Sequence, residues 1–141
     1  CVLARAAISI SIHENLVMNN PWGIFIQDCY CYVYRNTIQE SKYGIRTDDT
    51  AGEIKENNFI KNRFDATYEK GINWARIRGY ELIGRTRWLN NYWDGWPVSL
   101  PYPVKGYLYY KIHNFPIRII LCIRYFDWHP AQESYDIPGV N

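Results

Sequence analysis

Four carboxylates, Asp28, Asp48, Asp49 and Glu69, are the residues of this 141-residue chain whose spacing most invites chemistry. Gln27, Asp48 and Glu69 follow one another at intervals of 21, and so do Asp28, Asp49 and Lys70. If the chain returns to the same place every 21 residues, these acids gather on neighbouring turns of one surface. Paired carboxylates repel unless a cation or a proton intervenes, which is how a calcium site or an acid/base pair is built. The competing reading is a solvated turn, because Asp48-Asp49-Thr50-Ala51-Gly52 has loop composition. Two further groups could hold a metal. Cys29 and Cys31 flank Tyr30 and would point to one side of a strand, a soft pair suited to Cu(I) with help from Met18 or a His. Against it, Cys29 falls in a turn column with Thr50 and Gly71, and Cys31 can serve as a small buried residue. Asp127, His129, Glu133 and Asp136 could form a loop site, although one His beside Pro130 more often makes turn hydrogen bonds. The four Cys show no Cys-x-x-Cys spacing, and neither a Ser-His-Asp set nor a phosphate-cradling Gly loop is present.

What positions these residues is a repeat written three times: IHENLVMNNPWGIFI (12–26), VYRNTIQESKYGIRT (33–47) and IKENNFIKNRFDATY (54–68). Its columns are Ile12, Val33 and Ile54; Asn15, Asn36 and Asn57; Val17, Ile38 and Phe59; Asn20, Ser41 and Asn62; Trp22, Tyr43 and Phe64; Ile24, Ile45 and Ala66. A fixed period of this size signals a solenoid, whose units bury their apolar faces only by stacking. Each copy has three short apolar stretches joined by Asn, Gly and polar residues, and the Ile24/Ile26 alternation has the period of a strand. The joints have turn chemistry, since Asn and Gly tolerate positive φ. The expected fold is therefore all-β, a right-handed parallel β-helix with three strands per 21-residue rung. Rungs stack roughly 4.8 Å apart, which would turn Asn15, Asn36 and Asn57 into a ladder of amides. A leucine-rich repeat needs Leu at set spacings, and these copies have almost none. Glu14, Arg35 and Glu56 form an alternating charge column of small energetic weight. Trp22, Tyr43 and Phe64 are expected to pack as core or turn; facing outward, they would offer a strip for sugar rings.

Residues 1–11 fit the register one step back, so the chain opens within a rung, and the expectation is a piece of a longer protein with further rungs upstream. A lipid-anchored Cys1 is the less favoured reading, because Val2-Leu3-Ala4 is not a polar linker. After Gly71 the apolar pattern gives way to Arg76, Arg78, Arg85 and Arg87, as if the coil were ending. The open edge of a coil needs covering, and the aromatic stretch Trp88–Trp96, followed by Pro97, Pro101 and Pro103, suits a lid. Strands are expected at Val104–Tyr110 and Ile117–Ile123, the latter too short to span a membrane. The division is thus 1–74, rungs, and 75–141, a final rung with an aromatic-rich C-terminal cap. A net charge of +2, with basic residues interleaved with acids, argues against a nucleic-acid partner.

The motif Asn36-Thr37-Ile38, Ser41 and Tyr43-Gly44-Ile45 resembles the repeats of the NosD family and its pectin-lyase-like relatives, over roughly the first half of the chain. Trp88–Trp96 and Phe126–Pro130 resemble the C-terminal ends of secreted archaeal and bacterial proteins of that type. The resemblance implies a right-handed β-helix and an extracellular, periplasmic or cell-surface location. Such folds host lyases, epimerases, copper-handling proteins and passive surface modules, so fold alone does not select an activity. The leading expectation is a non-catalytic module that binds a polysaccharide or cell-surface glycan. A polysaccharide lyase or epimerase and a copper-handling protein are the alternatives. Asp28, Asp48, Asp49 and Glu69 are the expected ligand or cation face, with no cofactor beyond calcium or copper at the residues named.

Overall fold

The computed structural model describes residues 1–5, 9–72, 86–97, 99–111 and 118–138. The described residues form fourteen strands in three sheets. The first sheet holds β1 (Val2–Arg5), β4 (Trp22–Gln27), β7 (Tyr43–Asp48), β10 (Phe64–Ile72), β13 (Tyr102–Lys111) and β14 (Arg118–Asp127), in that order. The second runs β2 (Ile10–His13), β5 (Tyr30–Tyr34), β8 (Ala51–Lys55) and β11 (Thr86–Leu89). The third runs β3 (Leu16–Met18), β6 (Thr37–Gln39), β9 (Asn58–Ile60) and β12 (Tyr92–Trp93). All neighbours pair in parallel except β13 with β14, and the pairings fall where the columns require, for example Ile12 with Val33 and Val33 with Ile54. This is the expected parallel β-helix. The inward columns are buried because none can shed its apolar face except into the shared interior: Val33, Ile38, Ile45, Ile54 and Phe59 are fully enclosed.

The three corners turn on non-glycine residues in the left-handed region: Glu14, Arg35, Glu56 and Asn90 at the first; Asn19, Glu40 and Lys61 at the second; Asp28 and Asp49 at the third. At the first corner the Asn expected to take positive φ are each one residue late; they supply bonds instead. Asn15 Nδ2 donates to Asn36 Oδ1 (3.0 Å), Asn36 Nδ2 to Asn57 Oδ1 (2.9 Å) and Asn57 Nδ2 to Asn91 Oδ1 (3.1 Å). Each Asn Oδ1 also accepts the backbone N–H of the Asn one rung above. A second, shorter ladder follows, where Asn20 N donates to Ser41 Oγ and Ser41 N to Asn62 Oδ1. Because these amides bond otherwise orphaned turn groups, the corners can be buried.

The coil does not end after Gly71. Trp88 pairs with Ile54 and Trp93 with Phe59, so the aromatic stretch extends two core columns, at a step of 34 residues where earlier rungs use 21. Trp88 and Trp93 are 3% and 2% exposed. The expected lid is thus in part a rung: its large rings close the open end from inside the coil. Arg87 lies on β11, while Arg76, Arg78 and Arg85 lie outside the described residues. Phe59, Trp93 and Tyr102 stack in sequence, with centroids 4.4 and 3.8 Å apart. Asp127, fully buried at the end of β14, accepts from Asn90 N, Asn91 N, Asn91 Nδ2, Trp93 Nε1 and His129 N. The amide ladder therefore ends on a carboxylate, which can only accept. Tyr135 N and Asn58 Nδ2 bond across to each other's residue, tying down the tail, with Ile137 buried beside it.

Candidate functional site

The outer face of the first sheet collects most of the residues singled out by their types. Glycine begins its geometry: a Cβ on Gly23 would lie 2.4 Å from Gly44 O, and one on Gly44 2.4 Å from Asp65 O, so only glycine allows the rungs to approach there. The strands enter the sheet across this contact with Trp22, Tyr43 and Phe64 in register and facing out. Of the two readings of this column, core or turn packing and an outward strip, the structure places the rings outside the core. Ile24 and Ile45 point inward and are fully buried, whereas Trp22 is 40% exposed and Tyr43 and Phe64 are half-buried. Tyr43 and Phe64 stack on each other (5.2 Å, 20°). Trp22 and Phe25 meet at a tilt (5.3 Å, 49°).

Cations border these rings. The Arg46 guanidinium lies 5.7 Å from the Trp22 ring and 5.5 Å from Phe25; Lys42 lies over Tyr43, and Arg63 and Lys105 over Phe64. Such placement is favourable, since a ring face carries partial negative charge. The next outward column holds Phe25, Arg46, Thr67 and Lys105, and the one after it Gln27, Asp48, Glu69 and Tyr107. The face therefore grades from aromatic through basic to acidic along the strands.

At the acidic end the structure brings Asp48 and Glu69 into one column, as the spacing requires, with Asp28 and Asp49 at the adjoining corner. Asp48 is buried and accepts from Gln27 Nε2 (3.1 Å); Glu69 pairs with Arg46 (2.9 Å); Asp49 accepts the backbone N–H of Gly71 (3.0 Å). Asp28 is exposed. Among the described residues, no three His, Cys, Asp or Glu side chains come together as a metal-ion cage. Cys31 is an interior residue of β5 and its thiol is pushed up to about 12, by burial first and by neighbouring Cys29 second. Cys29 donates to Gln27 O at the corner (2.8 Å). Met18 faces outward from the third sheet, and exposed His129 donates its backbone N–H to Asp127 (3.3 Å). Cys29 thus lies at the corner that leads into β5 and Cys31 inside the strand, whereas Met18 lies on the third sheet and His129 follows β14.

Three features of this face escape the repeat columns. Phe25 and Lys105 are outward residues, of which only Phe25 could be found, by its place between the inward Ile24 and Ile26. Asp65 replaces the glycine of the Gly23/Gly44 column. Its carboxyl is raised above the usual range by burial; the hydrogen bonds from Tyr102 Oη (2.9 Å) and Asn62 Nδ2 (3.3 Å) oppose that rise, and Asp94 adds to it. The Tyr102 hydroxyl is in turn pushed well up, by burial and then by Asp65.

Comparison with known proteins places the chain. The family model described as "Periplasmic copper-binding protein (NosD)" matches residues 2–96. No curated protein and no solved structure matches.

Proposed function

The chain belongs to the NosD family of right-handed β-helix proteins, and from that premise we propose that it is a non-catalytic module outside the cytoplasm that binds an acidic glycan on the outer face of its first sheet. The observation that carries this reading is the outward ring column, with Trp22 exposed and Tyr43 and Phe64 half-buried, bordered by Lys42, Arg46, Arg63 and Lys105. Sugar rings have apolar faces that pack on aromatic side chains, and a uronate carboxylate bonds a guanidinium in bidentate fashion. Trp22 and Phe25 offer the rings best placed for stacking, while Arg46 stands between them and the acidic end. Parallel strands on a packed core hold these groups rigid, which limits the ordering entropy that binding costs. Asp28, Asp48, Asp49 and Glu69 then mark the end of the strip: Glu69 orients Arg46 and the acids repel a polyanion that slides past, with any cation between Asp28 and Asp49 as an addition. The periplasmic description of the family supports a location beyond the inner membrane. No helix among the described residues is long and apolar enough to cross a membrane.

The family's printed description supports a second reading, copper binding. One set of titrations separates the two. By calorimetry, an oligogalacturonate should bind the wild-type protein, and Trp22→Ala and Arg46→Gln should each weaken it about tenfold or more, the loss of one charge-assisted bond or stacking contact. Asp48→Asn with Asp49→Asn should leave that affinity within about threefold. Stoichiometric Cu(I) uptake abolished by Cys29→Ser and Cys31→Ser, without uronate binding, would replace the glycan reading with the copper one.

A further inference from the structure

We propose that the outer face of the second sheet carries a separate site for an uncharged sugar residue. A cleft of about 470 Å³ opens there, within the range of small-ligand sites. Its walls are Tyr32, Tyr34, Arg35, Glu53, Lys55 and Glu56, with Ser11 at the upstream margin. These side chains come from three successive rungs, since Ser11, Tyr32 and Glu53 are in register and so are Tyr34 and Lys55.

Two properties select the ligand. The first is charge. Arg35 and Lys55 balance Glu53 and Glu56, so an anion entering the cleft meets two carboxylates and a cation meets two bases. A neutral polyol meets no such conflict, because each hydroxyl both donates and accepts: it can donate to Glu53 or Glu56 while accepting from Arg35 or Lys55. The second is preorganisation. Glu53 is held by Arg87 (3.3 Å) and Lys55 (3.9 Å), and the Tyr34 ring is backed by a parallel His13 ring (4.9 Å, 9°). Tyr32, 40% exposed and braced edge-on by Tyr30 (5.3 Å, 62°), offers the apolar contact that a pyranose face requires. Fixed donors, acceptors and ring together make a site that reads hydroxyl geometry rather than charge. It is independent of the first-sheet strip, being on another face and for another class of sugar.

The experiment titrates the protein with neutral oligosaccharides (cello-, manno-, xylo- and galacto-tetraoses) and, in parallel, with tetragalacturonate, following amide chemical shifts. At least one neutral tetraose should bind, with its largest shifts at Ser11, Tyr32, Tyr34 and Glu53. Tyr32→Ala and Glu53→Gln should each weaken it tenfold or more, and Trp22→Ala should leave it unchanged. If Tyr32→Ala lowers the melting temperature, Glu53→Gln decides, since it removes charge and keeps shape. Failure of all four neutral sugars to shift the second-sheet amides at millimolar concentration overturns the proposal. So does a neutral-sugar affinity that survives Glu53→Gln, or one lost with Trp22→Ala. Loss of tetragalacturonate binding in Trp22→Ala bears on the first-sheet strip alone.

Discussion

At the scale of single residues the molecule is held by side chains that complete the backbone. Asn36 is fully buried; its Oδ1 accepts from Asn15 and its Nδ2 donates to Ile12 O and Asn57 Oδ1. Replacing it with Leu strands buried partners at about 1–3 kcal/mol each. Glu14→Ala removes a 3.9 Å contact with Arg35 and a 3.8 Å contact with His13, all between exposed side chains and worth under about 1 kcal/mol. Thermal melts should therefore show a large loss for Asn36→Leu and almost none for Glu14→Ala; equal midpoints would contradict the ladder's role. Asp65 sets a pH dependence. Its folded carboxyl is raised by burial, so as pH climbs past the ordinary Asp range the unfolded chain ionises first and the folded state is left behind. The stabilisation from a protonated Asp65 is full below the unfolded value and is lost as pH rises through the folded one. Denaturant unfolding at a series of pH values should show that decline in the wild type and a flatter profile in Asp65→Asn. Parallel profiles would show that Asp65 is not its source.

At the scale of elements, the three full repeats were legible because the columns of Ile12, Val17 and Ile24 hold only apolar residues and the ladder corners only Asn or Ser. Outward columns carry no such restriction. This is why the sequence left Trp22, Tyr43 and Phe64 between core or turn packing and an outward strip, and why Lys105 left no trace. Corner conformation was hidden for a related reason: Glu14, Arg35 and Glu56 adopt positive φ without Gly or Asn to announce it. The fourth rung was obscured by spacing, since Trp88, Asn91 and Trp93 continue three columns at a step of 34. Asp127 belongs to no repeat, and only folding brings it to the ladder's end. Asp127→Ala would leave five donors without their acceptor, four of them on the last rung, and should cost more than about 3 kcal/mol. Amide hydrogen exchange should then rise first in β11 and β12 and spread to β9. Protection that stays uniform would mean the carboxylate is not the cap.

At the scale of the whole molecule, the coil makes a rigid prism whose sheets present different chemistry to solvent. The interior is committed to packing, with Cys31 among its buried side chains, and the corners to backbone bonds, which leaves function to the outward columns. Among the described residues the first sheet has the most strands, is extended by β13 and β14, and sets cations over the rings of Trp22, Phe25, Tyr43 and Phe64. The proposed ligand of this face is an acidic glycan. Titration of the labelled 16.8 kDa chain with an oligogalacturonate, read by amide and side-chain chemical shifts, tests it most directly. Saturable shifts should concentrate at Trp22 Nε1, Phe25, Tyr43, Arg46, Phe64 and Lys105, with the Asn ladder unmoved. Shifts confined to the Asp28 and Asp49 corner, or no saturable shift on this sheet, would contradict it.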